Sequence, residues 1–451
     1  MTTQELIALD RQYVWHPFTH MRKWADSSPL VITAAKGMYL IDSEGRHYLD
    51  GVSSLWCNVH GHRVPEIDAA IANQLEKVAH STMLGLASEP AILLAERLVR
   101  LAPPGLAKVF FSDSGATATE IAFKLAVQYW HNVGQGHRNQ FIGFRHAYHG
   151  DTVGAMSVGR MEAFHRPYLP LLFITHFAPA PYVYRSQMPD DPTACVRACL
   201  DELEKLLVEH GARIAAICIE PLVHGAGGII VQPAGFLAGV AAAARRHGTL
   251  LIADEVAVGF GRTGRMFACE HESVRPDLMC LAKGISGGYL PLAATLATQR
   301  IFDAFLGQPL EGKTFFHGHT YTGNALACAA ALASLDLFEK NDLLAQVRQK
   351  SQALAHMLGR LRELPHVGEV RQMGMMVGIE LVEDRASRRG FDPGRRVGAV
   401  VCERIRARGV ILRPLGDVIV INPPLAMPEI DLRTIVDAVF AEVAGLKGAG
   451  K

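Results

Sequence analysis

Five short runs of the chain are almost wholly apolar, and the segments between them have helical character. The runs are AKVFF (107–111), NQFIGF (139–144), RIAAICIE (213–220), GTLLIADE (248–255) and DLMCLAK (277–283). Strands without polar alternation are buried on both faces, and strands separated by helices pair in parallel. TATEIAFKLAVQYW (117–130) shows the helical alternative, with Ile121, Leu125 and Tyr129 on one face. The expected fold is α/β, with a large domain of mainly parallel sheet flanked by helices. From about residue 325 the pattern changes to a helix-rich stretch (325–364). The short strand candidates EVRQMGMMVGIELV (369–382) and DVIVINPP (417–424) follow, a smaller α+β unit. Residues 1–60, with the hairpin-like MYLIDSEGRHYLD, are expected to pack with it. The boundaries are therefore 1–60, 61–325 and 326–451.

In an open α/β sheet, ligands gather at the carboxyl ends of strands, so the residues there matter most. GTLLIADE leads into Gly259-Phe-Gly261-Arg-Thr-Gly264, which spells the G-x-G-x-x-G of dinucleotide sites. The match fails in context. Asp254 and Glu255 stand where glycine should follow the strand, and two carboxylates repel a pyrophosphate. No regular helix pattern follows Gly264. A tight loop after a functional carboxylate fits better, and a helix cap or a satisfied buried acid is the plain alternative for Asp254.

DLMCLAK ends in Lys283. Desolvation at the end of an apolar strand favours the neutral amine, which can attack an aldehyde. Lys313, in EGKTFFHGHT, is the one rival and has the flanks of an exposed loop. AKVFF leads through Ser112-Asp-Ser-Gly115-Ala116-Thr117 into a helix, which suits either an ordinary cap or an anion site. NQFIGF leads to Tyr148, a flat face that suits either packing or stacking. An acid, a neutral lysine, a phosphate cradle and an aromatic together meet the needs of pyridoxal 5′-phosphate (PLP). The lysine links to its aldehyde, and the acid pairs with its ring nitrogen.

Other features exclude classes. A net charge of +1 gives no basic face for nucleic acid. No apolar window reaches membrane-spanning length, and the N-terminus lacks the pattern of a secretory signal. Eight scattered cysteines without a C-x-x-C pair read as free thiols in a reducing cytoplasm. Cys195 and Cys199, and the pairs His60-x-His62 and His317-x-His319, lack further ligands at suitable spacing, so no metal is expected.

The motifs SDSGATATE, AYHGDT, IEPLVHGAGG, LIADEVAVGFGRTG, CLAKGISGG and HGHTYTGNALA, in this order, resemble the class III, fold-type I PLP-dependent aminotransferases across nearly the whole chain. WHPFTHM, DGVSSLWCNVHGHR, YHGDTVGAMSVG, GGYLPLAATL and ILRPLGD resemble the branch serving biotin biosynthesis. That branch aminates 8-amino-7-oxononanoate (KAPA) to 7,8-diaminononanoate (DAPA). The resemblance implies that Lys283 bonds the cofactor and moves protons, and that Asp254 pairs with its ring nitrogen. Val256 and Tyr148 would cover the two ring faces, and Gly115 and Ala116 would donate to the phosphate. His319 and Thr320 would reach that phosphate from the second subunit of a homodimer. Arg413 would hold a substrate carboxylate, Gly318 and Trp56 would line the channel, and Glu220 would support the site.

The sequence departs from the members that take their amino group from S-adenosylmethionine. Those usually carry tyrosine at the position of Phe18 and tryptophan at that of Leu55. The SS-L-W form also resembles members that use lysine, so S-adenosylmethionine is the first expectation for the donor and L-lysine the alternative. A different ω-aminotransferase, a one-substrate aminomutase and a PLP-binding regulator are the remaining readings. The last has no spare basic helix-turn-helix segment to serve it.

Overall fold

The computed structural model describes residues 1–159 and 161–446. The last residues of the expected C-terminal unit, 447–451, lie outside them. The centre is a seven-stranded sheet. Its strands lie in the order Leu106–Ser112, Ala293–Thr298, Leu278–Leu281, Leu250–Asp254, Ile214–Ile219, Gln140–Phe144 and Thr175–Ala178. Every pairing is parallel except the two made by Ala293–Thr298, which runs against both neighbours. The carboxyl ends of the other six strands therefore share one edge. Ile214–Ile219 and Leu250–Asp254 are buried at every position, as the apolar runs Ile214–Ile219 and Leu250–Ala253 require, and Asp254 is buried with them.

Two of these strands had no counterpart among the runs read from sequence. THFA (175–178) is an edge strand of partly buried residues. AATLAT (293–298) is built of alanine, threonine and one leucine, without the β-branched aliphatic residues that mark its neighbours. It follows Lys283 without an intervening long helix, so it returns antiparallel instead of crossing over.

The helix read over 117–130 runs from Gly115 to Asn132. Ser114 caps it: its Oγ accepts the Thr117 N–H at 3.3 Å, and the Thr117 hydroxyl oxygen accepts the Ser114 N–H at 3.0 Å.

Both ends of the chain meet in a second region. Tyr39–Asp42 and His47–Asp50 form the expected hairpin, and His47–Asp50 pairs in parallel with Val410–Ile411. Strands Val367–Met373, Met376–Leu381, Val418–Ile421 and Arg413–Leu415 make a separate four-stranded antiparallel sheet. Arg371, buried in it, donates to the carbonyls of Gly228 and Ile229, so this sheet is tied to the loops of the seven-stranded one. Among the described residues, no helix is long and apolar enough to cross a membrane.

Candidate active site

The shared strand edge opens into a cavity of about 760 Å³. Five of the six parallel strands deliver a residue to it, all but the edge strand Thr175–Ala178. Ser112 leads to Gly115 and Ala116, Phe144 to Tyr148, Ile219 to Glu220, Leu281 to Lys283, and Asp254 ends its own strand. The other walls hold Val256, Phe18, Leu55, Trp56 and Arg413. The structure thus brings together every site residue read from sequence except Gly318, His319 and Thr320. Those three lie outside the cavity of their own chain. His319 Nδ1 is 2.7 Å from Asp113 Oδ2 on the rim, and the Thr320 carbonyl is 2.9 Å from His80 Nε2.

Capping of the Gly115–Asn132 helix engages the Thr117 N–H and leaves those of Gly115 and Ala116 without a protein acceptor among the described residues. A helix start with free N–H groups attracts an anion. Close packing fixes its position. A Cβ on Gly115 would lie 2.6 Å from Val256 Cγ1. At Gly150 the backbone is left-handed (φ +125°), and a Cβ would lie 2.4 Å from that of Ala116. Glycine alone lets the Tyr148 turn approach the helix so closely. Thr152 Oγ1, buried on the cavity wall, has no hydrogen-bond partner among the described residues.

Asp254 is buried, and its carboxylate is held at both oxygens. Oδ1 accepts the Val256 N–H at 3.0 Å, and Oδ2 lies 2.6 Å from Nδ1 of the equally buried His149. Burial disfavours charge on the His149 imidazole, but the hydrogen bond to Asp254 and that residue's charge outweigh it and raise its pKa. Such a pair keeps the Asp254 charge in place. Sequence reasoning missed His149, although the AYHGDT motif contained it.

Lys283 presents its amine to the cavity, 5.4 Å from the centre of the Trp56 ring. Burial lowers its pKa against the opposing pull of Asp254 and Glu220, so the neutral amine is favoured. Its backbone is left-handed (φ 45°), an uncommon conformation for a side chain of this size. The wall opposite is strained as well: Ser53, Ser54, Leu55 and Trp56 all have positive φ. A run of such residues persists only when surrounding contacts hold it. Asp50 supplies them, accepting both the Ser54 N–H at 2.9 Å and its hydroxyl at 2.7 Å, while Ser53 Oγ donates to the Asn422 carbonyl.

Glu220 accepts the N–H of Tyr148 and that of Gly225, each at 2.9 Å. A Cβ on Gly225 would meet the Trp56 ring at 3.0 Å, so this one carboxyl group ties two walls together. Burial first, then the Asp254 charge, push its pKa up to about 7 against the pull of His149. The Tyr148 hydroxyl donates to Asp151 at 2.7 Å. Arg413 forms no ion pair among the described residues, and its guanidinium lies 5.9 Å from the Phe18 ring centre. An unpaired cation facing an apolar cavity suits an elongated apolar substrate with a terminal carboxylate.

The residues present fit PLP group by group: two N–H donors without a protein acceptor among the described residues for its phosphate, a fixed carboxylate for its ring nitrogen, and an amine whose charge burial disfavours for its aldehyde. Among the described residues, no cluster of three or more histidine, cysteine or acidic side chains could hold a metal.

Residues 20–441 match the aminotransferase class-III family. A protein of Geobacter sulfurreducens called adenosylmethionine-8-amino-7-oxononanoate aminotransferase is 54% identical over 447 residues, 99% of each chain. The crystal structure of the Methanocaldococcus jannaschii protein of that name matches with a TM-score of 0.93, 44% identity and 98% of each chain covered. An amine transaminase from an uncultivated Pseudomonas species, solved in its PLP-bound form, matches at TM-score 0.92 and 39% identity. That alignment covers 96% of this chain and 98% of the other.

Proposed function

Since the chain belongs to the class III aminotransferases, which depend on PLP, we propose that it aminates the ketone of KAPA to give DAPA for biotin synthesis, with S-adenosylmethionine as donor. The observation that carries this reading is the unpaired Arg413 in an apolar cavity that also contains the Lys283 amine. KAPA has a carboxylate at the end of an apolar chain and its ketone near the other end. Full-length similarity to proteins named for that acceptor supports it.

PLP supplies an electron sink and carries the amino group between the two substrates. The chain's residues do the rest. The Lys283 amine would bond the cofactor's aldehyde, and its Nζ would remove the proton from the carbon bearing the donor amine in one half-reaction and deliver a proton to the carbon of the KAPA ketone in the other. Asp254, held by His149, would pair with the ring nitrogen. The N–H groups of Gly115 and Ala116 would hold the phosphate, and Val256 and Tyr148 would flank the ring. Arg413 pairs with the KAPA carboxylate, while Phe18, Leu55 and Trp56 shape the channel. His319, Thr320 and Gly318 act in the site of a second copy, which makes the enzyme a homodimer. Exposed Phe316 and Leu310, in the same segment, support a covered surface there. The boundaries 1–60, 61–325 and 326–451 are retained in this reading, as is a cytoplasmic location.

L-Lysine is the second reading for the donor, favoured by Phe18 and Leu55, which remove polar contacts from the channel. A general amine transaminase is the third, favoured by the 39% identical structure. One experiment separates them. Purified enzyme is incubated with KAPA and either donor, and DAPA is measured by mass. DAPA formed with S-adenosylmethionine is the expected result; formation with lysine alone moves the donor, and formation with neither removes the biotin reading. Borohydride trapping with peptide mapping checks the covalent link, which must fall on Lys283.

A further inference from the structure

Tyr148, which the proposed reaction sets against the cofactor ring, is fixed at its backbone but less so along its side chain. Glu220 accepts its N–H, and beyond that point the ring turns about two side-chain bonds. Its far end has one polar anchor, the hydroxyl donating to Asp151 Oδ2 at 2.7 Å. Asp151 is a weak post by itself, because its side chain is 48% exposed. Its other oxygen, Oδ1, faces His165 Nε2 at 3.5 Å.

His165 is equipped to steady that acid. It is 1% exposed and ends the short helix Glu162–His165, whose Phe164 reaches the cavity wall and meets the Phe18 ring edge-on at 5.5 Å. His165 Nδ1 accepts the Met161 N–H at 3.0 Å. A neutral imidazole that accepts at Nδ1 carries its proton on Nε2. Burial keeps the ring neutral, lowering its pKa against the pull of Asp151. The Nε2–H is buried and has no hydrogen-bond partner among the described residues. An unmet buried donor is costly, and the half-exposed carboxylate in front of it needs only a small rotation to close the gap. The imidazole also lies beside the Tyr148 ring, their planes 25° apart and their centres 6.2 Å apart. A side chain that merely filled this space would need neither the proton nor the orientation.

We propose that His165 is a positioning residue for transamination: its Nε2–H holds Asp151, and Asp151 holds the Tyr148 ring at one tilt. This inference rests on the place beside the cofactor given to Tyr148 in the functional reading above.

Two substitutions separate this role from a structural one, because each keeps half of the imidazole. Glutamine puts an amide donor near the position of Nε2 and lacks the acceptor at Nδ1. Asparagine puts its amide oxygen near Nδ1 and reaches no farther. His165→Gln, His165→Asn, Asp151→Asn and the double variant with His165→Asn and Asp151→Asn are prepared with PLP bound. DAPA formation gives kcat and KM for KAPA, and visible circular dichroism of the bound PLP reports the asymmetry around its ring. His165→Asn should lower kcat roughly three- to tenfold, leave KM within about twofold and weaken the dichroic band. His165→Gln should keep most of both signals. In the Asp151→Asn background, His165→Asn should cost less than about twofold more. If His165→Asn does as well as His165→Gln or better, the imidazole serves the Met161 turn and the proposal is overturned. An undiminished loss in the Asp151→Asn background overturns it too. If the wild type forms no DAPA while the dichroic band still follows the His165 variants as stated, the KAPA reading falls and the positioning role stands.

Discussion

Replacing His149 with alanine tests how the carboxylate at the heart of the site is held. The 2.6 Å contact between His149 Nδ1 and Asp254 Oδ2 is buried on both sides, and the substitution leaves Asp254 with the Val256 N–H alone. Stranding one member of a buried charged pair costs about 3–5 kcal/mol. Two contributions are mixed in that figure, the lost bond and the buried charge left behind. A double-mutant cycle with Asp254→Asn separates them and should give a coupling of about 1–3 kcal/mol. The pH dependence carries a sign. The folded His149 has a raised pKa, so its stabilisation is complete below the unfolded histidine value of about 6.5 and fades as pH climbs through the folded value. The penalty for His149→Ala should therefore be larger near about pH 6 than near about pH 9. Denaturant titration of the cofactor-free variants at both pH values is the assay. Additivity within about 0.5 kcal/mol, or a penalty that grows with pH, refutes the argument.

Lys283→Met should stabilise the cofactor-free protein. Burial lowers the lysine pKa, so folding sheds a proton below the unfolded value of about 10.5 and the cost grows as pH falls. Thermal unfolding should show a gain near neutral pH that disappears in strong alkali; a gain that increases with pH contradicts it. Gly115→Ala places a Cβ 2.6 Å from Val256 Cγ1, and overpacking of about 1–3 kcal/mol should weaken PLP binding by roughly five- to a hundredfold. Adding Val256→Ala should recover most of the affinity, and failure to do so means that the clash is not the cause.

Much of the site could be read before any coordinates because parallel strands place their ends together. A run such as LLIAD announces itself as buried, and the topology puts Asp254, Lys283, Tyr148 and the Gly115 turn on one edge without further information. The antiparallel strand at 293–298 escaped because Ala-Ala-Thr-Leu-Ala-Thr has little strand signature of its own; its neighbours impose the extended form. His149 escaped for a different reason. Its partner is 105 residues away, and nothing local distinguishes an imidazole that meets a carboxylate from one that fills space.

The reversed strand has a consequence for the lysine. Leu278–Leu281 and Ala293–Thr298 are ladder neighbours, so the loop carrying Lys283 leaves the sheet and re-enters it one strand away. Both of its feet are hydrogen-bonded into the central sheet. With both ends of the loop anchored, the proposed proton transfer calls on rotation about the four-carbon stem of Lys283. In that reading the arc open to the proton is set by side-chain torsions.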